Sequence, residues 1–274
     1  MAAFNRSVAA AGLSRVCLRH LPMRYLIISD LHSNLEALQA VLGAAENDYD
    51  EVVCCGDLVG YGADPNAVID WVRQHVRWVV RGNHDKAGSG LESADDFNDV
   101  ARFSAFWTRA QLTAENADYL RNLPKGPMEV AGQFAILHGS PMDEDEYLPA
   151  AWMAAEAFDS LRDRISFFGH THLQGGFIRG RSQIADVPLK ASLLGAGPGA
   201  VRRKLEIVSD EQYLLNPGSV GQPRDLDHRA AFAIYDTEGI VEYGRVPYDL
   251  DAAMEKIMRA GLPEFLAYRL AVGR

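Results

Sequence analysis

Short apolar runs, each stopping at a polar cluster, set the rhythm of this chain. Tyr25-Leu-Ile-Ile-Ser29 ends at Asp30-Leu-His32, Glu51-Val-Val-Cys-Cys55 at Gly56-Asp57, and Arg77-Trp-Val-Val80 at Gly82-Asn-His-Asp85. Runs of this length, bounded by turn residues, read as buried strands. Between them the apolar spacing becomes helical. Ser33-Asn-Leu-Glu36 matches a capping box, and Leu35, Leu38, Val41 and Leu42 then share one helix face. Asp64 as cap and Pro65 as first residue open a second helix carrying Val68, Ile69, Val72 and Val76. Strand and helix alternate, so parallel strands would bring their carboxyl ends, and these polar clusters, to one crevice.

From Lys86 to Glu129 the spacing is helical, with Phe97, Ala101, Phe103, Phe106, Trp107 and Leu112 as an apolar stripe and a second short helix after Thr113. This reads as a helical insertion, residues 86–129, packed beside the crevice. Phe134-Ala-Ile-Leu137 is the next strand and ends at His138. The acidic run Asp143–Glu146 reads as a solvated loop. A helix containing Trp152, Phe158 and Leu161 leads to the strand Ile165–Phe168, which ends at Gly169-His-Thr-His172. Strands are then expected at Gln183–Lys190, Lys204–Val208, Tyr213–Leu215, Ala230–Tyr235 and Ile240–Val246, a mostly antiparallel second half with a hairpin turn at Thr237-Glu-Gly239. Gly195-Ala-Gly-Pro-Gly199 lacks the spacing and flanking elements of a dinucleotide fingerprint and reads as a turn. Asn216–Arg224 is too turn-rich for a strand and should fold back over its neighbours. Two helices, at 249–272, close the chain.

A length of 274 residues with 48% hydrophobic residues is ample for a real core. The net charge of -10 argues against a general nucleic-acid binder, since such affinity comes from Lys and Arg neutralising phosphates. Cys54 and Cys55 adjoin within an apolar run and read as buried thiols in a reducing, cytoplasmic setting rather than as a disulfide framework. No apolar segment approaches the roughly 20 residues that cross a bilayer, so a soluble protein is expected. Residues 1–22 carry Arg6, Arg15 and Arg19 and no acid, and read as a loosely ordered extension before a single domain spanning 23–274. Homo-oligomerisation is left open.

Five of the eight histidines (His32, His84, His138, His170, His172) stand at strand ends beside other polar donors, whereas His20, His75 and His228 read as structural. Asp30, His32, Asp57, Asn83, His138, His170 and His172 together exceed the roughly four ligands of one site and fit two ions. Mixed oxygen and nitrogen donors without thiolate suit Mn, Fe, Co, Ni or Zn rather than calcium. Two such ions roughly 3.5–4 Å apart are an apparatus for hydrolysing a phosphate ester.

Taken in order, Asp30-x-His32, Gly56-Asp57, Gly82-Asn-His-Asp85, His138 and Gly169-His-x-His172 resemble the signature of the calcineurin-like metallophosphoesterase superfamily. Asn216-Pro-Gly-Ser219 resembles its small bacterial and archaeal phosphodiesterase-like branch. The resemblance implies an α/β fold: a four-layer α/β/β/α sandwich of two mixed sheets with the metals at one edge. It implies that Asp30, His32, Asp57 and His172 hold one ion and Asp57, Asn83, His138 and His170 the other. It also implies His84 as the general acid, with Asp85 orienting its ring and a pKa near the ordinary imidazole value. Where the Ser/Thr protein phosphatase branch has an Asp-Arg pair this chain has Gly60-Tyr61, and Asp85 stands in place of Glu, which disfavours a protein phosphatase. Arg224 and Tyr61 are then the expected phosphate contacts. The expected activity is metal-dependent hydrolysis of small phosphomonoesters or phosphodiesters by in-line attack of a metal-bridging hydroxide. The alternatives are a dinucleoside polyphosphate hydrolase and, with less support, a binding scaffold without catalysis.

Overall fold

In this computed structural model, which describes residues 22–189 and 199–274, the first three apolar runs form neighbouring parallel strands, β1 (Arg24–Ile28), β2 (Glu51–Cys54) and β3 (Val76–Val79). Their crossovers are the helices α1 (Leu35–Ala44) and α2 (Pro65–His75). On its other side β1 pairs antiparallel with β11 (Ala230–Asp236), which turns through Thr237-Glu-Gly239 into β12 (Ile240–Val246). Strand β9 (Val201–Glu206) completes the order β3-β2-β1-β11-β12-β9. A second six-stranded sheet contains, in spatial order, β4 (Met128–Val130), β5 (Phe134–Ile136), β6 (Ile165–Phe167), β10 (Gln212–Asn216), β7 (Gly175–Arg179) and β8 (Ile184–Asp186).

Strand periodicity of two explains the layering. Tyr25 and Ile27 point to one face of β1 and join Phe134, Ile136, Phe167 and Leu215 in the core between the sheets. Leu26 and Ile28 point to the opposite face and pack with Leu38, Val41, Ile69 and Val72 of α1 and α2. Outside the second sheet, Ala157 and Phe158 of α6 (Ala154–Ser160) cover Phe168 and Leu214. The result is the expected α/β/β/α order.

Several local expectations change. The cap of α1 is Asn34, whose side chain accepts the Ala37 N–H at 3.1 Å, whereas Ser33 takes φ 53° and cannot cap. The second-half strands do not make a sheet of their own: β9, β11 and β12 extend the first sheet, β7, β8 and β10 lie in the second, and β10 runs parallel to β6. Strand β7 escapes a pattern search because it begins Gly175-Gly176. Glycine there has a packing reason, since a Cβ on Gly176 would meet the Leu214 carbonyl oxygen at 2.3 Å.

The insertion comprises α3 (Asn83–Ser89), α4 (Asp99–Gln111) and α5 (Ala114–Arg121), and it ends before β4. Helix α4 buries Ala101, Ser104, Ala105 and Thr108, leaving Phe103 and Phe106 about half exposed, because small residues allow close approach to α3. Trp152 is likewise exposed, in a single 3-10 turn, Ala151–Met153. The final helices α7 (Leu250–Arg259) and α8 (Glu264–Val272) pack Ala253, Ile257, Leu266 and Leu270 against Tyr61 and Ala101. The chain's last turn therefore borders the crevice. The expected extension lies outside the described residues apart from Pro22, as does the 195–199 turn apart from Gly199. Among the described residues no helix is long and apolar enough to cross a membrane.

Candidate metal centre

The loops that leave β1, β2, β5 and β6 converge at one edge of the sandwich, where they meet the start of α3. One ligand atom from each of Asp30, His32, Asp57 and His172 lies within 4.8 Å of the others, and the same holds for Asp57, His138 and His170. Asn83 joins the second group, its Oδ1 3.3 Å from His138 Nε2. All seven sequence-predicted ligands are thus brought together, and Asp57 belongs to both groups.

Main-chain carbonyls settle the tautomer of four imidazoles, because a carbonyl only accepts. Nδ1 of His32 donates to Val59 (2.9 Å), Nδ1 of His138 to Cys55 (2.8 Å) and Nδ1 of His172 to Gln222 (2.6 Å). His170 is reversed, with Nε2 donating to the Asp145 carbonyl at 2.9 Å. The opposite nitrogens then face each other in pairs: His32 Nε2 and His172 Nε2 at 3.0 Å, His170 Nδ1 and His138 Nε2 at 3.1 Å. Between the pairs Asp57 Oδ2, buried and without a hydrogen-bond partner among the described residues, lies 3.7 Å from His32 Nε2 and 3.3 Å from His138 Nε2. Ring nitrogens that face each other in pairs around a buried carboxylate call for positive charge between them. Histidines each tied by their far nitrogen are how proteins orient metal ligands. The residues fit two cations.

Electrostatics agree. Burial would raise the Asp57 carboxyl, but the imidazoles, His138 foremost, outweigh it and hold Asp57 well below the usual carboxylate range. Burial lowers His32 and His172 well below the ordinary value and takes His170 to about 3. His138 is the exception: burial opposes its charge, but Asp57 overcomes it and pushes the ring up to about 10. One of the four imidazoles therefore holds a proton that a cation must displace. Uptake of metal at pH 7–8 is expected to release about one proton from His138 and to tighten as pH rises toward 10. Calorimetry in buffers of different ionisation enthalpy checks this, and uptake without proton release contradicts it.

The backbone is bent to this purpose. Asp30, His32, Ser33, Asp57, Tyr61, His170 and His172 all take positive φ, between 45° and 65°. Such conformations cost of order 1–3 kcal/mol each and persist only where the surroundings enforce them. Close approach explains two glycines: a Cβ on Gly82 would lie 2.1 Å from Asp57 Oδ1, and one on Gly169 would lie 2.0 Å from Ser29 Oγ. Asn216 Nδ2 donates to the Gly169 carbonyl at 2.8 Å, and Ser219 Oγ to the Asp30 carbonyl at 2.8 Å. The Asn216–Arg224 segment does fold back, latching two ligand loops together.

Asp85 does not orient His84. Its carboxylate accepts the N–H groups of Gly82 (2.9 Å), Asp57 (2.9 Å), Leu58 (2.8 Å) and Val59 (3.3 Å), which pins the Asp57 loop to the start of α3. His84 Nδ1 is buried with no hydrogen-bond partner among the described residues, and the ring packs among Tyr61, Phe97 and His32 at centroid distances of 4.4, 4.8 and 5.0 Å. Burial lowers His84 to about 4 rather than leaving it near its ordinary value.

The acidic run is solvated only in part, with Asp143 and Asp145 exposed and Glu144 buried. Glu144, 5% exposed, takes Arg81 in a two-point contact (2.9 and 2.8 Å) and Lys86 Nζ at 3.2 Å, while Lys86 also reaches Asp145 at 2.7 Å. This places the Asp145 carbonyl on His170 and stacks Tyr147 on that ring at 3.8 Å. Arg81 and Lys86 flank the Gly82–Asp85 motif, which was the available signal, but no local pattern pairs them with a run some 60 residues away. Arg224, expected as a phosphate contact, sits beside the centre, with Nη2 3.3 Å from Tyr61 Oη. Arg269 of α8, which no sequence pattern singles out, lies over the same ring with its Cζ 5.8 Å from the centroid.

The sequence profile of the calcineurin-like phosphoesterase superfamily domain matches residues 23–239. The chain belongs to this superfamily. As a calcineurin-like phosphoesterase it is a hydrolase of phosphate esters, from a family that binds divalent metals. It is 38% identical over 254 residues to the uncharacterized protein MJ0912 of Methanocaldococcus jannaschii, covering 90% of this chain and 97% of the relative. A solved metallophosphoesterase from Sphaerobacter thermophilus is 38% identical with a TM-score of 0.78, over 93% of this chain and all of that one. The hypothetical protein PH1004 from Pyrococcus horikoshii shares the fold of this phosphoesterase at 18% identity, with a TM-score of 0.70 over 92% of this chain and 98% of that one.

Proposed function

We propose that residues 23–274 act as one dinuclear phosphoesterase domain that hydrolyses small phosphomonoesters or phosphodiesters. The observation that carries this reading is the pairing of facing imidazole nitrogens on either side of the buried Asp57 Oδ2. Asp30, His32, Asp57 and His172 would hold one divalent transition-metal ion and Asp57, Asn83, His138 and His170 the other. Such a pair supplies Lewis acidity toward phosphoryl oxygens and activates water at neutral pH.

The remaining roles belong to the chain. Arg224, lacking an Asp or Glu partner among the described residues, offers a planar fork of donors to phosphate oxygens. Tyr61 holds that fork and shields one side of His84 from water, with Phe97 on another. His84 would carry the proton to the leaving oxygen. Because burial keeps the free ring neutral at pH 7, its proton must be favoured by the negative charge of the bound ester. Free, buried Cys54 and Cys55 support a cytoplasmic, reducing setting.

A panel containing an aryl monoester, an aryl diester and a dinucleoside tetraphosphate, assayed with added manganese, tests the reading. Turnover of the mono- or diester is expected. Preference for the tetraphosphate would favour a dinucleoside polyphosphate hydrolase, and no turnover by fully metallated protein would sink the enzymatic reading.

A further inference from the structure

Arg224 and Arg269 approach the ring of Tyr61 from elements far apart in sequence, their Cζ atoms 5.7 and 5.8 Å from its centroid. Neither faces an Asp or Glu within ion-pair reach among the described residues. Arg224 is held by the Tyr61 and Gln222 side chains at 3.3 and 3.2 Å, with the Tyr147 side chain also against it, and its Nε is buried without a hydrogen-bond partner among the described residues. Arg269 lies between the Phe265 and Tyr61 rings and gives Nε to the Arg274 main-chain oxygen, and its terminal nitrogens make no hydrogen bond among the described residues. Two guanidinium groups held on one ring repel each other, and burial together with Arg224 lowers Arg269 to about 10. The fold holds them there. The loop bearing Arg224 is tied to the end of α8 by the Leu226 N–H, which donates to the Gly273 carbonyl at 2.9 Å, and Arg224 N–H donates to the His172 carbonyl at 3.3 Å.

Tyr61 itself has φ 62°, an unusual state for a bulky residue, and its N–H is held by Ser104 Oγ at 2.5 Å. Its ring touches His84 and His32, at 4.4 and 4.7 Å between centroids, so the arginine pair adjoins the leaving-group side of the centre. One arginine suffices for one phosphate already neutralised by two cations. A second, brought from the last helix, provides for more charge.

We infer that Arg269, set beside the Arg224 that serves the reacting phosphate, forms a second anion subsite next to the metal centre, which binds a further phosphate on the leaving portion of the substrate. This rests on the phosphoesterase reading above and narrows it: a substrate whose leaving portion itself carries a phosphate, such as the anhydride of a nucleoside 5′-diphosphate, binds more tightly than one whose leaving portion does not. Paired guanidinium forks are suited to phosphate oxygens and lose little freedom on binding. A phosphate there relieves the repulsion between the two cations.

The test compares wild type with Arg269→Gln as manganese-loaded full chains, using p-nitrophenyl phosphate and a nucleoside 5′-diphosphate. The KM for the diphosphate is expected to rise about tenfold relative to that for the aryl ester, with kcat for each changed much less. Arg269→Lys, which keeps the charge but not the fork, should fall between. Equal rises in both KM values would overturn the subsite, because a residue that merely supports Tyr61 affects both esters alike. A readout independent of turnover is calorimetric titration with methylphosphonate and methylenebisphosphonate: wild type should prefer the bisphosphonate, and Arg269→Gln should lose most of that preference. Should wild type cleave neither ester, the phosphoesterase reading falls and this titration still decides the subsite. An unchanged preference in the variant would refute it.

Discussion

Replacing Asp57 with Asn is expected to strip both ions from the protein and to abolish turnover. The substitution keeps the volume and leaves an acceptor for the His84 N–H, which donates to Asp57 Oδ1 at 2.8 Å, so the fold should survive. What disappears is the charge of Asp57, the residue common to the two ligand groups, whose Oδ2 lies 3.7 Å from His32 Nε2 and 3.3 Å from His138 Nε2. Loss of an outer partner of a metal ligand already costs about 10–100-fold in affinity or activity, and a shared first ligand should cost more. If the ions contribute several kcal/mol to the barrier, activity falls by roughly a thousandfold or more, at about 1.4 kcal/mol per decade. Elemental analysis of the purified variant is the direct measurement. An unchanged content of two ions per chain would show that Asp57 is not the shared ligand. A second consequence follows from the charge: without Asp57 the His138 ring loses the attraction that pushes it up to about 10, so its titration should move down, visible by NMR in the metal-free variant.

His84→Ala should leave the metal content intact yet reduce turnover by about a hundredfold or more for esters with poor leaving groups, the usual scale of general-acid catalysis. For p-nitrophenyl esters, whose leaving oxygen needs little help, the loss should be far smaller. Equal losses for both classes would remove His84 from proton transfer. The pH profile carries the sign. An acid works in its protonated form, so wild-type kcat should decline as pH rises through the ring's pKa in the substrate complex. That complex value must lie above the free value of about 4, because the ester brings negative charge to a buried ring. The alkaline limb should vanish in His84→Ala, and its persistence would assign that limb to another group.

Much of this was legible along the chain because it depends on local chemistry. Apolar runs that stop at Asp30, Asp57 and Asn83 become β1, β2 and β3 with only end residues shifted. Harder to read were features decided by partners remote in sequence. Ser33 has the composition of a cap, but the ligand loop needs it at positive φ, and the cap passes to Asn34. Asp85 follows the histidine it was expected to orient, yet four main-chain N–H groups from two loops claim its carboxylate. Charge runs are normally solvated; Glu144 is buried because Arg81 and Lys86 compensate it.

The sequence by itself determined the first three strands, their crossover helices and the seven metal-ligand candidates, since residue type and spacing act within one turn or one strand. Tertiary structure alone decided which nitrogen of each histidine faces the centre, because that depends on carbonyls of Val59, Cys55, Asp145 and Gln222 delivered by other loops. It alone decided how the later strands divide between two sheets, a choice made by burial of both faces rather than by any strand's own pattern. And it alone brought Arg269, 208 residues beyond Tyr61, onto the same ring as Arg224, since the position of the last helix is set by packing its apolar face and leaves no mark at Arg269 itself.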